Sequence, residues 1–382
     1  MEYLSAQSGH LLSVLINYEM MGTNLTINNL NSKSKNEIIE LLSLKGKEQQ
    51  ELIHAARKIA DEKIGNKVFF RGLIEYSNIC AKNCYYCGIR KDNREQNRYT
   101  MQDDEVLDCA RFAHEMNYGS IVIQTGERSD EKFVSKIEFL IREIKKLSDG
   151  KLGITLSLGE QSSDTYTRWF EAGAHRYLLR IETSNPDLYT RYHPDNELHS
   201  FKRRLETLET IKKTGYQVGT GVMIGLPGQK IEDLADDIIF FRDFDVDMVG
   251  MGPYIEHDQT PMYEQKDQLL PILDRFSLSL NMIATLRLVM PDVNMAATTA
   301  MQAIDPEGRE KAIKAGANIV MPNLTPVKYR GKYMLYDGKP CLDEDASRCT
   351  GCLILRIKST GSEVALGEWG DSLHFLNKQF EQ

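Results

Sequence analysis

The chain has 382 residues, of which 41% are hydrophobic and 27% charged, and its formal net charge is −8. This composition is typical of a folded globular protein rather than a disordered or fibrous one, and an acidic chain without a Lys/Arg block is not expected to bind nucleic acid through its phosphates. No apolar stretch approaches the length of a membrane span, and the N-terminus lacks a basic region with a cleavage site. We therefore expect a cytoplasmic protein without a membrane partner.

The N-terminal part, residues 1–65, is predicted to be a helical extension. Apolar residues recur at helical spacing from Ile38 to Ala60. We expect this extension to pack on the outside of the main domain.

Residues 66–325 alternate short apolar segments with amphipathic ones, which is the pattern of βαβ units in a parallel sheet. Helices are predicted between the strands at 103–116, 131–147, 162–172, 201–214, 230–242, 270–290 and 306–315. The eight predicted strands lie near 69–76, 120–124, 153–158, 176–181, 217–224, 248–252, 293–298 and 318–321.

Eight strands favour a TIM-type (βα)8 barrel over a doubly wound open sheet. The unusual polar residues fall at the carboxyl ends of the predicted strands, where barrel enzymes build their sites. Residues 326–382 lose the alternation, so we predict an irregular C-terminal segment that folds over one barrel mouth and contains a helix near 351–359.

The seven cysteines are unevenly distributed. In a reducing compartment, close groups of cysteines indicate metal sites rather than a disulfide framework. A lone cysteine in an apolar helical pattern is predicted to be part of the core. The lone cysteine is Cys109, and the two groups are Cys80, Cys84 and Cys87, and Cys341, Cys349 and Cys352.

The first group has the spacing Cys-x3-Cys-x2-Cys, with no fourth Cys or His between Glu75 and Tyr99. Thiolates select zinc, copper(I) or iron-sulfur clusters, and a structural zinc site would normally have a fourth ligand nearby. A [4Fe-4S] cluster held by three thiolates leaves one iron open to another ligand. A zinc loop completed by a distant residue is the alternative.

This loop, with Tyr86 before its last cysteine, resembles the signature of the radical S-adenosylmethionine (SAM) superfamily. Over about residues 66–355 the resemblance narrows to the HydE family of [FeFe] hydrogenase maturases, whereas residues 1–28 extend beyond that family's usual start. The blocks that carry it are "FRGLIEYSNIC", "QTGE", "LSLGE", "RYLLRIETSNPDLY", "GVMIGLPGQ", "DMVGMGPYI", "NMAATTAM" and "NIVMPNLTP".

The resemblance implies cofactors and residue roles. Cys80, Cys84 and Cys87 would hold a catalytic [4Fe-4S] cluster, whose open iron binds SAM for reductive cleavage to a 5'-deoxyadenosyl radical. Positions matching the family's SAM site are Tyr86, Gln124, Gly126, Glu127, Ser157, Glu182 and Arg204. Positions matching its substrate site are Arg180, Thr298, Thr299, Met321, Tyr333 and Tyr336.

The second cysteine group matches an accessory cluster site that only part of the family has. Its occupant stays open among a second [2Fe-2S] or [4Fe-4S] cluster, zinc and plain thiols.

The positions that match the substrate site combine one arginine with hydroxyls and a thioether. This set suits a small carboxylate-bearing substrate that contains sulfur or metal.

The resemblance implies an anaerobic enzyme that helps to assemble the hydrogenase active-site cluster. Its substrate would be a small organometallic precursor of the Fe(CO)2(CN)-cysteine type, and its partners other hydrogenase maturases and an electron donor. The alternatives are an amino-acid mutase of the methylornithine synthase type and a biotin synthase-like enzyme. A non-catalytic iron-sulfur scaffold is a less favoured alternative.

Overall fold

The computed structural model describes residues 34–380, so the part of the predicted N-terminal extension before Ser34 lies outside the described residues. Its strands are β1 Lys67–Ser77, β2 Ser120–Thr125, β3 Gly153–Ser157, β4 Arg176–Leu178, β5 Gln217–Thr220, β6 Met223–Ile224, β7 Met248–Val249, β8 Gly252–Pro253, β9 Asn294–Met295, β10 Ile319–Val320 and β11 Glu363–Val364.

The helices mostly follow the strands along the chain. They are α1 Lys35–Ser43, α2 Gly46–Ile64, α3 Asp103–Glu115, α4 Glu131–Leu147, α5 Ser163–Ala172, α6 Pro186–Tyr192, α7 Phe201–Thr214, α8 Ile231–Phe244, α9 Ile272–Val289, α10 Thr299–Ile304, α11 Gly308–Lys314, α12 Val327–Arg330, α13 Ala346–Lys358 and α14 Leu373–Phe380.

Eight parallel strands form the central sheet, in the order β10, β1, β2, β3, β4, β5, β7, β9. The register of β1 with β10 pairs Phe69 with Ile319. A parallel bridge between Ala296 and Ile319 joins the end of β9 to the same strand, so the sheet closes on itself. The predicted TIM-type (βα)8 barrel is confirmed.

Local sequence explains the regular helices. In α4, the Asp130 side chain accepts a hydrogen bond from the amide of Phe133 and so caps the first turn. Ile137, Leu140 and Ile144 then recur at helical spacing and are fully buried against the sheet. Cys109 of α3 is buried in the same core, as predicted.

Two of the predicted strands are each divided into two pieces. β5 and β6 cover the segment predicted at 217–224, and β7 and β8 cover the one at 248–252. A β-carbon on Gly221 would overlap the carbonyl oxygen of Gly250. The backbones therefore approach too closely at the break for any residue other than glycine at position 221.

The first two helices pack on the outside of the barrel, against α8 and α9. Asn281 of α9 donates to the carbonyl oxygens of Leu42 and Leu44, both at 2.9 Å, and its Oδ1 accepts from Gln49 at 2.7 Å. In residues 34–380 no single helix is long and apolar enough to span a bilayer. Pro261–Gln268 and α9 together have the length and composition of a span, but the two helices are bent by 93° relative to each other.

The segment after β10 covers both ends of the barrel, whereas the sequence predicted that it covers one. Residues 333–341 line the opening at the carboxyl ends of the strands. At the other end, β11 pairs with the start of β1, and the carbonyl oxygen of Gly370 accepts from Arg71 at 3.0 Å and from Asn294 at 2.9 Å. We call residues 333–341 the roof of the barrel, and residues 363–371, at its other end, the floor. The predicted terminal helix begins earlier than expected, at Ala346.

A candidate active site at the carboxyl end of the barrel

A cavity of about 350 Å³ lies at the carboxyl ends of the barrel strands. Its wall contains the three cysteines of the first group and every residue that the resemblance assigned to SAM or substrate. Cys341 and Cys349 also line it, whereas the side chain of Cys352 is exposed. One cavity therefore combines the chemical groups that the sequence distributes over 270 residues.

The loop that carries the first three cysteines is held by Arg98. Its guanidinium donates to the carbonyl oxygens of Asn78 at 2.7 Å, Ile89 at 2.8 Å, Arg90 at 2.6 Å and Asn93 at 3.0 Å. A planar guanidinium with five donors suits several carbonyl groups at once. Arg98 was not predicted as a site residue, because nothing in the spacing shows which arginine turns inward.

The loop also docks on the end of β2. The amide of Gly126 donates to the carbonyl oxygen of Ser77 at 2.9 Å, and the amide of Ala81 donates to that of Glu127 at 2.8 Å. The amide of Glu127 points at the Sγ of Cys80, 3.3 Å away. An amide directed at sulfur favours the thiolate form, which is the form that binds metal.

Burial makes the three cysteines of this loop hard to ionise unless a cation lies close to them. Burial, with repulsion from Cys80, raises the pKa of Cys84 to about 12, and burial with the neighbouring cysteines raises the pKa of Cys87 well above its usual value. Thiolates gathered here therefore need a positively charged partner, and metal binding would release their protons. Three soft ligands from one loop, facing a cavity, fit an iron-sulfur cluster with a position open to that cavity.

A buried ion network supports the loop from below. Lys82 lies 3.4 Å from Glu127 and 3.0 Å from Glu160, and Arg204 lies 2.6 Å from Glu160. Burial alone would raise the pKa of Glu160, but Arg204 and Lys82 hold it below its usual value. Lys82 and Glu160 were not predicted as site residues, although they stand beside the first cysteine and in the block "LSLGE".

Glu182 has an unusual backbone. Its φ is 66°, in the left-handed region that a residue with a β-carbon adopts only at a cost. The carboxylate lies at the cavity wall and accepts from Arg180 at 3.0 Å, while Arg180 also donates to the carbonyl oxygen of Val222 at 2.7 Å. Both side chains are thereby fixed at the end of β4.

The start of α10 and the roof supply another part of the cavity wall. The hydroxyl of Tyr336 donates to Thr299 Oγ1 at 2.9 Å, and burial raises the pKa of Tyr336 to about 12. Within the described chain, the buried Oγ1 of Thr298 has no hydrogen-bond partner. An unsatisfied buried hydroxyl is costly unless a ligand engages it. Met321 and Tyr333 line the same wall.

A buried ion pair fastens the roof to the barrel. Glu75, near the end of β1, pairs with the ammonium of Lys339, which also donates to the carbonyl oxygen of Tyr333 at 2.9 Å. Asn323 donates to Glu75 at 3.3 Å. Burial, the largest effect, raises the pKa of Glu75. Neither Glu75 nor Lys339 was predicted as a site residue, because the two are 264 residues apart in the chain.

The family model of the radical SAM superfamily matches residues 74–241. This stretch carries the first cysteine group and the positions predicted to bind SAM, from Tyr86 to Arg204. It begins in β1 and ends in α8.

Known proteins match most of the chain. It is 44% identical over 318 residues to the [FeFe] hydrogenase maturase subunit HydE of Thermotoga maritima, which covers 82% of this chain and 87% of that protein. It is 29% identical over 339 residues to the 3-methylornithine synthase of Methanosarcina acetivorans, covering 87% and 90%. The crystal structure of methylornithine synthase (PylB) shares the fold with a TM-score of 0.74 at 24% identity, over 87% of this chain and 94% of that one.

Proposed function

The chain belongs to the HydE family of [FeFe] hydrogenase maturases within the radical SAM superfamily, and on this basis we propose that its cavity processes a small iron-containing precursor of the hydrogenase active site. Membership implies a [4Fe-4S] cluster and SAM. The observation that carries the proposal is that the three-cysteine loop and the predicted substrate residues face one cavity.

Cys80, Cys84 and Cys87 are the proposed ligands of the cluster. When bound, the cluster supplies the electron for the reductive cleavage of SAM. The chain's own contribution is to orient the loop, through Arg98, and to stabilise the sulfur of Cys80 through the amide of Glu127. Both devices act before any substrate arrives, so the cluster site is preorganised.

SAM is proposed to lie between the cysteine loop and the ends of β2 to β4. Glu182 offers a carboxylate to the ribose hydroxyls, and the strained backbone at this residue directs it into the cavity. Arg204 is fixed by Glu160 and by the carbonyl oxygen of Arg180, at 2.6 and 2.5 Å. The remaining proposed contacts are Tyr86, Gln124, Gly126, Glu127 and Ser157.

The substrate is proposed to bind between Arg180 and the wall formed by Thr298, Thr299, Met321, Tyr333 and Tyr336. Arg180 suits a carboxylate, as in a cysteine-bound precursor of the Fe(CO)2(CN) type. The unsatisfied hydroxyl of Thr298 is available to a polar group of the same ligand. A reactive carbon radical needs its target in contact and stray reactants kept away, and the roof residues Tyr333 and Tyr336 line part of the cavity.

A second metal group and protein partners are also proposed. Cys341, Cys349 and Cys352 are proposed to hold a second [2Fe-2S] or [4Fe-4S] cluster, as the resemblance implies. Other hydrogenase maturases are proposed to exchange substrate and product with this chain, and an external electron donor to reduce the first cluster.

Anaerobic reconstitution tests the proposal. With SAM and a strong reductant, the wild-type chain should form 5'-deoxyadenosine, and Cys87→Ala should form none because one cluster ligand is missing. Adding the chain to apo-hydrogenase with the other maturases should raise hydrogenase activity. Failure to form 5'-deoxyadenosine with an intact cluster would refute the radical chemistry.

An amino-acid mutase is the second candidate, because the 3-methylornithine synthase of Methanosarcina acetivorans covers as much of the chain. The two candidates differ in their product. Formation of 3-methylornithine, with no gain in hydrogenase activity, would favour the mutase.

A further inference from the structure

Residues 192–199, from the end of α6 onward, hold the middle of the cysteine loop. The amide of Tyr85 donates to the carbonyl oxygen of Tyr192 at 2.9 Å. The amide of Asn83 donates to Nε2 of His199 at 2.8 Å. Both amides lie between the first and the last cysteine of the loop, so this segment helps to set the path of the chain there.

His193, in the same segment, contacts the loop through the side chain of Tyr86. The hydroxyl of Tyr86 lies 3.1 Å from Nε2 of His193, and the two rings meet edge to face with their centroids 5.3 Å apart. His193 also stacks on the ring of Tyr189, with centroids 4.0 Å apart. Tyr86 lines the cavity, whereas His193 is 2% exposed and is not among the residues that line it. His193 therefore acts on the cavity through Tyr86.

The surroundings of His193 fix its tautomer. Its Nδ1 lies 2.7 Å from the carbonyl oxygen of Tyr189, which can only accept, so Nδ1 carries a proton. Burial, with the nearby charges of Arg204 and Lys82, lowers the pKa of His193 to about 3, so the ring is neutral at neutral pH. In a neutral ring with its proton on Nδ1, Nε2 can only accept. The hydroxyl of Tyr86 therefore donates to His193.

This bond leaves the ring of Tyr86 little freedom. A tyrosine side chain has two rotatable bonds before its ring, and its hydroxyl is the atom farthest from the backbone. A hydrogen bond at the hydroxyl limits both rotations. The backbone is restrained too, because the amide of Cys87 donates to the carbonyl oxygen of Cys84 at 3.3 Å. The ring is thus oriented before a ligand arrives, which reduces the conformational entropy lost on binding.

We propose that His193 is a positioning residue for SAM, because its Nε2 holds the Tyr86 ring in the orientation in which that ring contacts SAM. The inference rests on the proposed binding of SAM beside the cysteine loop. His193 itself touches neither SAM nor the cluster. Without its hydrogen bond, the Tyr86 ring adopts several orientations and SAM has to select one of them, so SAM binds more weakly.

The test measures the Kd of SAM by equilibrium dialysis against the full chain with its first cluster reconstituted, without reductant, so that SAM is not cleaved. His193→Phe keeps a ring to stack on Tyr189 but removes the acceptor. We expect the Kd of SAM to rise about fivefold, the equivalent of one hydrogen bond. With reductant, the change should lie in the KM of SAM rather than in kcat. His193→Gln, whose amide oxygen can take the place of Nε2, should recover most of the affinity.

His175→Phe is the matched control. The imidazole of His175 also packs on an aromatic ring, that of Trp369, with centroids 4.6 Å apart. It lies at the start of β4, at the end of the barrel opposite the cavity. The same substitution there should leave the Kd of SAM unchanged.

Tyr86→Phe separates the hydrogen bond from a general loss of packing. This change removes the hydroxyl and should raise the Kd of SAM to a similar extent, and adding His193→Phe should raise it no further. An unchanged Kd in His193→Phe, no recovery in His193→Gln, or additive effects in the double variant would each overturn the proposal.

Iron and sulfide content per chain is measured for every variant. Loss of the cluster in both His193→Phe and His193→Gln would show that His193 supports the loop as a whole, and would also overturn the proposed role. If the wild-type chain with an intact cluster bound no SAM, the proposed function would fail, and this outcome is distinct from a failure of His193 alone.

Discussion

Gly126 has no side chain because the cysteine loop occupies the space that a β-carbon would need. A β-carbon there would lie 2.5 Å from the carbonyl oxygen of Ile79 and 2.7 Å from the β-carbon of Cys80. Contacts this short force the backbone to move. The glycine therefore matters for the position of the first cysteine rather than for a turn of its own.

Gly126→Ala should displace the loop and reduce the iron and sulfide bound after reconstitution. We expect a loss of about 1–3 kcal/mol in the free energy of unfolding, the usual cost of overpacking. Gly331→Ala is the control, since a β-carbon there would have no atom within 4 Å and the φ of Gly331 is −70°. Normal iron content in Gly126→Ala, by metal analysis, would contradict the close packing.

At the level of single residues, the sequence predicted metal-ligating residues better than it predicted which residues form ion pairs. The first cysteine group could be identified because its three ligands are within eight residues of one another. Lys82 and Glu160 were missed because an ion pair depends on how separate loops meet. Glu75 and Lys339 show the limit, since their pairing requires the roof to return to the first strand.

At the scale of elements, the cysteine loop is irregular and depends on side chains for its shape. Arg98→Met removes donors to four loop carbonyl groups. Each lost hydrogen bond is worth about 1 kcal/mol, so the reconstituted cluster should be lost several-fold faster under a chelator. Arg94→Met, an exposed change in the same loop, should behave as wild type. Equal rates of iron loss would show that Arg98 does not hold the loop.

Helix α8 contains a buried acid that makes stability depend on pH. Asp237 accepts from the amide and hydroxyl of Ser184, at 2.6 and 2.7 Å, but burial raises its pKa from 3.8 to about 7. The folded state therefore keeps a proton that the unfolded chain releases above pH 4. Stability from this residue is intact below that pH and declines as the pH rises to about 7.

Asp237→Asn should remove this decline. The variant should be more stable than wild type at pH 8, by up to about 4 kcal/mol, and should differ less at pH 4. Urea unfolding at both pH values measures the difference. Asp243→Asn, at an exposed position of the same helix, should change neither value. A wild-type stability that rises from pH 4 to pH 8 relative to Asp237→Asn would contradict the raised pKa.

The strands and helices that alternate along the barrel were predicted well, and two short helices were not. The eight strands and seven helices of the barrel follow from the alternation of apolar and amphipathic segments. Helices α6 and α10, of seven and six residues, were not predicted, whereas α11, also of seven residues, was predicted at 306–315. The break in two strands depends on the contact of Gly221 with Gly250, which no local pattern reveals.

At the scale of the molecule, a buried ion pair attaches the floor to the barrel. Arg176, fully buried at the start of β4, donates to Asp371 at 2.7 Å and to the carbonyl oxygen of Trp369 at 2.9 Å. His175 contacts the same carboxylate at 3.2 Å. The floor is thereby attached to the sheet at the end opposite the proposed active site.

Asp371→Asn should lower the free energy of unfolding by about 2 kcal/mol, because a buried guanidinium loses its counter-charge. The cost falls below that of a fully buried pair, since Arg176 keeps its bonds to Thr155 and Trp369. Urea unfolding measures it, with the exposed Asp108→Asn as control. The rate of 5'-deoxyadenosine formation should be unchanged under conditions in which both proteins are folded. A free energy of unfolding equal to that of wild type would show that the Arg176–Asp371 ion pair contributes little to stability.

The barrel itself could be predicted from the sequence, but the path of the last segment could not. Residues 326–380 have no periodicity that indicates which end of the barrel they reach. Their course is set by single contacts, such as Lys339 with Glu75 above and Gly370 with Arg71 below.

This path has a consequence for biosynthesis. Ribosomes make the chain from its N-terminus, so all eight strands emerge before either the roof or the floor. Until residues 333–341 have been made, the cavity that Cys80, Cys84 and Cys87 line lacks this part of its wall. We therefore expect the cluster to be inserted more easily before Lys339 pairs with Glu75 than afterwards.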